Sequence, residues 1–314
     1  MNKIAYYTLK LMRPKQWIKN FAVFAAIVFT GQLFNGLPFL RVILAFIVFC
    51  GLSSAVYVIN DIFDIQKDRM HPFKRFRPLA NGDLSIFYAL FIFLALCVGS
   101  LILSLFVNGT FFLLVLVYLG LQLSYSMVIK NITVLDILAL AAGYILRVYA
   151  GEIAGGFHIS VWLVLTTVAL SLFLAVGKRR TELTLISGFS DKQIAATRKT
   201  LSHYSERLLD VYASMFVTST LIFYSFFTFL EDPHGFKISI GILLPDYLPY
   251  YFQRKWLMIT ILPVVYGLMR YLQDIYEKHE GESPEKVFLS DIPLLTSVIT
   301  WLILVVVVIY FIKG

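Results

Sequence analysis

Residues 59–82 read INDIFDIQKDRMHPFKRFRPLANG, a polar island between two long apolar runs. Its first half carries Asp61, Asp64 and Asp68; its second carries His71, Lys74, Arg75 and Arg77, interrupted by Pro72 and Pro78. A solvated connection needs charge, but not acids first and bases second. Two questions follow: what the island connects, and what its ordered charges hold.

The runs around it answer the first. The 314 residues are 59% hydrophobic and 15% charged, with a mean hydropathy of +0.79. The apolar runs approach the ~20 residues that cross a bilayer as helix. Alternating segments of about ten residues, the mark of a membrane barrel, are absent from the sequence. An all-α integral membrane protein is expected.

Nine spans can be drawn, near Trp17–Phe34, Phe39–Asn60, Leu84–Phe106, Thr110–Val128, Thr133–Ala150, Ile159–Val176, Leu208–Leu230, Trp256–Leu272 and Ile292–Phe311. Residues 1–16 precede them as an interfacial helix. Residues 231–255 read as interfacial or re-entrant, because Pro245 and Pro249 oppose a regular helix. The whole of 1–314 then makes a single transmembrane domain. No cleavage site follows the first apolar run, so a retained N-terminus is expected.

Lys and Arg gather in the N-terminal segment and in the loops after even-numbered spans, while the opposite loops are nearly bare. The positive-inside rule puts the N-terminus and the polar loops after spans two and six in the cytoplasm, in a cell (inner or plasma) membrane. Those two loops lie four spans apart, which suggests two related halves around a shared cavity. The net charge of +8 suits anionic head groups or phosphorylated substrates, and no nucleic-acid partner is expected. Cys50 and Cys97 lie inside apolar runs, where they build neither a disulfide framework nor a metal site. A homo-oligomer is compatible with the sequence.

The ordered charges come next. If span two continues as helix past the membrane edge, Asp61, Asp64 and Asp68 share one face, with the Asn60 amide beside them. Clustered carboxylates repel unless a cation sits among them. Oxygen-only donors suit Mg2+ bridged to phosphates, and Lys74, Arg75 and Arg77 suit the phosphate oxygens themselves. Together they describe a diphosphate site; the bland alternative is a solvated acidic face capped by basic neighbours.

Further candidates lie elsewhere. GKRRTEL after span six offers Lys178, Arg179 and Glu182, as anion ligands or as ordinary membrane-edge anchors. In span five, Asp136 and Arg147 share a helix face about 16 Å apart at 1.5 Å per residue. A charge at that depth costs at least ~2.5 kcal/mol, so Arg147 is expected to face the interior with an anionic partner, Glu152 or a more distant acid. Tyr125 and Lys130 stand just before that span, able to donate to phosphate. In RPKQWIKN, Lys15 and Lys19 read as anchors or phosphate contacts, and the amides Gln16 and Asn20, four apart, favour the ligand reading. No His-x-x-x-His, glycine-rich nucleotide loop or Ser/His/Asp set occurs, so redox-cofactor chemistry is not expected.

NDIFDIQKD resembles the NDxxDxxxD motif of the UbiA-type intramembrane prenyltransferase superfamily. RPKQWIKN, YSMVIKNITVLD leading into GYILRVYAGEIAGG, GKRRTEL and GESPEKVFLSD extend the likeness in order along the chain. Within that superfamily the likeness points to the branch that phosphoribosylates a lipid phosphate. It implies nine helices around a central cavity, with Mg2+ held by Asp61, Asp64 and Asp68. The implied reaction moves 5-phosphoribosyl from phosphoribosyl pyrophosphate to a polyprenyl (decaprenyl-type) phosphate, supplying lipid-linked pentose (arabinose) for cell-wall glycan. Lys15, Lys19, Lys130, Arg147, Lys178 and Arg179 would contact phosphates. The alternative is a UbiA-type prenyltransferase moving a polyprenyl group from its diphosphate to an aromatic or other acceptor. Members of that kind resemble one another in a second aspartate-rich motif after span six, where this chain has Lys178, Arg179, Arg180 and Glu182. Cations in place of carboxylates favour a donor with an additional phosphate.

Overall fold

A computed structural model describes residues 3–70, 74–185, 200–231, 256–278, 287 and 290–312. His71 and residues 232–255, most of the expected re-entrant piece, lie outside the described residues. Among those described, eight helices are long and apolar enough to cross a membrane. Their outward faces carry large apolar side chains such as Phe87, Phe91, Phe106 and Ile292, a surface that hydrocarbon accepts and water does not. The protein is a multi-pass membrane protein.

The chain enters by a short amphipathic helix, α1 (Lys3–Met12). Arg13 then adopts a left-handed conformation at φ 52, and Pro14 opens a 3-10 run of 11 residues to Phe24. α2 (Ala25–Phe29) follows. The expected span Trp17–Phe34 is therefore not one α-helix. Runs this long are unusual for 3-10 geometry, which must be held by its surroundings. One holding contact is plain: a Cβ on Gly151 would lie 1.8 Å from the Val23 carbonyl oxygen, so only glycine admits the 3-10 backbone there.

α3 (Gly36–Phe63) outruns its expected end at Asn60 and stops when Asp64 leaves the helix; α4 (Ile65–Met70) resumes at once. α5 (Pro78–Asn81) starts on proline and ends at Gly82, φ 85. α6 (Ile86–Leu105) is capped by Ser85 and α7 (Gly109–Met127) by Asn108, each side chain accepting a backbone N–H. α8 (Leu135–Gly155) begins after Val134, whose φ of 69 is costly for a β-branched residue. α9 (Val161–Leu185) runs past the expected Val176, so GKRRTEL is helix rather than loop. No proline interrupts it, and the pairs Arg179–Glu182 and Arg180–Thr184, three and four residues apart, join successive turns. α10 (Glu206–Leu230) is capped by Ser205. A 3-10 turn, Trp256–Thr260, leads into α11 (Ile261–Gln273). α12 (Ile292–Phe311) is capped by Asp291.

From α6 onward each spanning helix packs on the next, α6 also packs on α3, and α12 returns to α2, closing a ring. α8 is one link of that ring and also touches α2, α3 and the 3-10 run. Its far end, Ala150 and Ala154, enters one apolar cluster with Val23, Phe49 and Tyr118. Its near end, Ile137 and Ala141, enters another with Phe173 and Leu209. Small residues on α8 allow this close approach, and they leave room for Asp136 and Arg147 in the interior.

Candidate active site

The island of acids closes on cations. Asp61 and Asp68 are almost wholly buried, a position that carboxylates hold only when paired. Arg77 Nη1 lies 3.1 Å from Asp61 Oδ1 and 2.6 Å from Asp68 Oδ2. Arg13 Nη2 reaches the same Asp61 oxygen at 2.5 Å. Asp64 turns elsewhere, to Lys130 Nζ at 3.4 Å. The reason is local: the helix breaks at Asp64, so the shared face expected for an unbroken helix is lost. Among the described residues no three acidic, His or Cys side chains stand close enough to cage a metal ion. With no metal bound, Asp61 and Asp68 share the Arg77 guanidinium while Asp64 faces Lys130.

Of the neighbouring candidates, Asn60 is half-buried and gives its backbone carbonyl to the Asp64 N–H. Lys74 is half-buried and Arg75 is exposed, its guanidinium 4.8 Å from the Phe76 ring centroid. Lys15 is exposed, and Lys178 is half-buried on α9.

Next to the acids runs a line of polar groups. In the 3-10 run, residues three apart align. Lys19 Nζ donates to Gln16 Oε1 at 2.8 Å, and Tyr57 OH donates to the same oxygen at 3.1 Å. On another side Trp17 Nε1 donates to Ser54 at 2.9 Å, and Asn20 Oδ1 accepts from Ser53 at 3.2 Å. Gln16 and Asn20 thus do not act as a four-apart pair. The 3-10 period separates them, leaving Gln16 with Lys19 and sending Asn20 inward.

Asn20 meets Arg147. The guanidinium donates from Nε to Asn20 Oδ1 at 2.8 Å, from Nη1 to the Gly143 carbonyl at 2.5 Å, and from Nη2 to Tyr118 OH at 2.7 Å. All three acceptors are neutral. The expected acid does not appear: among the described residues Arg147 makes no ion pair, and Glu152 lies beside His158.

Asp136 pairs with Arg179 instead, at 2.6 Å from Nε. Arg179 is wholly enclosed. Its Nη1 donates to Glu182 and its Nη2 to Tyr125 OH at 2.8 Å. A phosphate contact is therefore not what its position serves, because every guanidinium nitrogen is engaged inside the protein. Asp136, Glu182 and Tyr125 belong to this brace with it. Tyr204 completes it, donating to Asp136 Oδ1 at 2.7 Å and accepting from the Val134 N–H at 2.7 Å. Burial, and then the hydrogen bond to Asp136, push the Tyr204 hydroxyl above the usual tyrosine range, so it stays a donor. Next to it Thr200 Oγ1 donates to the Lys130 carbonyl at 3.4 Å. The brace thereby reaches the lysine that faces Asp64.

Residues 20–295 match the sequence profile of the UbiA prenyltransferase family. The chain belongs to the UbiA prenyltransferase family. It is 34% identical over 306 residues to the decaprenyl-phosphate phosphoribosyltransferase of Corynebacterium glutamicum, over 96% of this chain and 86% of that protein. With the Mycobacterium tuberculosis protein of the same name it shares 30% over 298 residues, 94% and 91% of the two chains. A solved UbiA homolog from Archaeoglobus fulgidus, bound to DMAPP and Mg2+, superposes with a TM-score of 0.70 at 18% identity. That likeness covers 96% of this chain and 98% of the other and establishes the UbiA fold.

Against this family frame, four residues stand out that the sequence reading did not single out as ligands: Arg13, Tyr57, Tyr118 and Tyr204. Two carried a usable signal. Tyr57 lies one turn before Asp61 on α3, and Tyr118 lies two turns before Tyr125 on α7. Arg13 and Tyr204 reach the site through backbone turns that no periodicity announces.

Proposed function

We propose that the chain transfers 5-phosphoribosyl from phosphoribosyl pyrophosphate to a polyprenyl phosphate, releasing pyrophosphate. The near full-length similarity to two decaprenyl-phosphate phosphoribosyltransferases carries this reading. The cation-rich polar end fits it: a donor with a diphosphate and a 5-phosphate, plus a lipid phosphate, brings more negative charge than carboxylates could tolerate. Lipid-linked pentose for cell-wall glycan would be the product's use.

The whole chain works as one transmembrane unit, with the 3-10 run and α2 as a ninth crossing around a central cavity. The polar end and the N-terminus face the cytoplasm, where phosphoribosyl pyrophosphate is available; the asymmetry of Lys and Arg supports this.

Asp61 and Asp68, with Asp64, would hold Mg2+. The fit rests on donor chemistry and on Arg77, one nitrogen of which already takes the cationic position between the two carboxylates. Bound there, Mg2+ would neutralise charge on the departing diphosphate. Arg77 and Lys130 stand beside the same acids and, with Lys74 and Arg75 of the same segment as Arg77, would take phosphate oxygens; Lys15, Lys19 and Lys178 would serve anions at the edge. The acceptor is an ionised phosphate near pH 7 and attacks ribose C1 without a dedicated base. The protein's contribution is then positioning and electrostatics.

One incubation tests the reading: purified protein, Mg2+, labelled phosphoribosyl pyrophosphate and polyprenyl phosphate. Label entering the lipid phase, with pyrophosphate released only when lipid phosphate is present, is the expected result. Label remaining in water while a polyprenyl diphosphate is consumed with an aromatic acceptor would favour the prenyltransferase alternative.

A further inference from the structure

Among the described residues Arg147 is a buried cation without a counter-charge. It is 7% exposed, lies on α8 in the membrane interior, and is held by an amide, a carbonyl and a phenol. Neutral acceptors satisfy its N–H groups but leave its charge uncompensated, and a lone charge at membrane depth is costly. Every other arginine described inside the bundle has a carboxylate: Arg179 has Asp136, Arg180 has Asp210 and Arg270 has Asp291. The exception calls for a visiting anion.

Two neighbouring groups have a donor to offer one. Asn20 Nδ2 approaches only the weak acceptor Cys50 Sγ, at 3.5 Å, so a good donor is poorly used. Tyr118 OH accepts from Arg147, which leaves its own proton to give. Cys50 stands three helical turns below Asp61 on α3, roughly 16 Å along the axis. The Gln16, Lys19 and Tyr57 group occupies the interval. A polar line thus leads from the diphosphate end to Arg147.

We propose that Arg147, with Asn20 and Tyr118, seats a phosphate monoester group distinct from the diphosphate held at the acidic island. The inference rests on the proposed reaction, whose two substrates both carry such a group: the donor's 5-phosphate and the head of the polyprenyl phosphate. The planar fork of arginine matches two phosphate oxygens, and displacement of neutral partners costs less than breaking an ion pair.

The test measures binding to protein in nanodiscs with three probes: phosphoribosyl pyrophosphate, polyprenyl phosphate, and Mg2+ with inorganic pyrophosphate. Arg147→Met should weaken one or both phosphate monoesters roughly tenfold to a hundredfold. It should leave pyrophosphate binding unchanged and the melting temperature of the substrate-free protein undiminished. Loss confined to phosphoribosyl pyrophosphate assigns the seat to the 5-phosphate; loss confined to the lipid assigns it to the acceptor. Asn20→Asp, which places a carboxylate against Arg147, should weaken the same probe and raise the melting temperature. Wild-type binding of both substrates with neither variant affecting it overturns the proposal, as does a fall in stability with no change in affinity. Wild-type protein that binds neither substrate removes the reaction itself, a separate result.

Discussion

Two arginine–carboxylate assemblies stand at the polar end of the bundle, and they differ in one respect that decides their roles. At the acidic island, Arg13 and Arg77 reach Asp61 and Asp68 with about a quarter of each arginine side chain still exposed, 24% and 25%. At the start of GKRRTEL, Arg179 is 0% exposed, and so is its partner Asp136. The exposed guanidiniums can swing to a phosphate with little desolvation; the enclosed one cannot leave without stranding two acids. The same residue types thus make an exchangeable contact in one place and a permanent strut in the other.

The sharpest way to break the comparison is to remove the strut. Arg179→Met leaves Asp136 and Glu182 without their cation, and losing one partner of a buried pair costs about 3–5 kcal/mol. A large fall in the thermal midpoint of the detergent-solubilised protein, or no folded protein at all, is the expected outcome. If Arg179→Met melts like the wild type yet loses donor binding, Arg179 is a ligand after all and the two assemblies are alike.

Tyr204→Phe probes the strut more gently. The change removes a donor to Asp136 and leaves the strained Val134 without its acceptor, a loss of about 1–3 kcal/mol. Because Thr200 holds the Lys130 carbonyl beside it, the variant should also raise the KM for phosphoribosyl pyrophosphate more than it lowers kcat. A stability loss with KM unmoved would confine Tyr204 to folding.

This contrast explains what the sequence could and could not tell. Hydropathy located the α-helical spans to within a few residues for α6, α7, α10 and α12, and the motif NDIFDIQKD located the polar end. Three things escaped it. The 3-10 run depends on Gly151 of a helix distant in sequence, and no local pattern encodes that contact. The break at Asp64 rotates one acid away from the other two. GKRRTEL read as a cationic loop because charge suggests solvent, yet its first arginine, Arg179, is wholly enclosed, neutralised by an acid 43 residues earlier. Burial of a charge is a tertiary fact: it depends on which partner arrives, and spacing along the chain does not name the partner.

The smallest effect tests the exchangeable side. In the absence of substrate Arg77 competes with a divalent cation for Asp61 and Asp68, since its Nη1 touches both carboxylates. When a diphosphate is present the same guanidinium is free to bind it. Arg77→Ala should therefore move two affinities in opposite directions. Mg2+ alone, followed by calorimetry, should bind a few-fold more tightly, because Asp68 then has no competing positive charge and Asp61 keeps only that of Arg13. Phosphoribosyl pyrophosphate should bind a few-fold more weakly, because a phosphate ligand is gone. An arginine that served only to fold the loop would weaken both, and one that merely decorated the surface would change neither. Opposite signs come only from a cation that changes partner as substrate arrives.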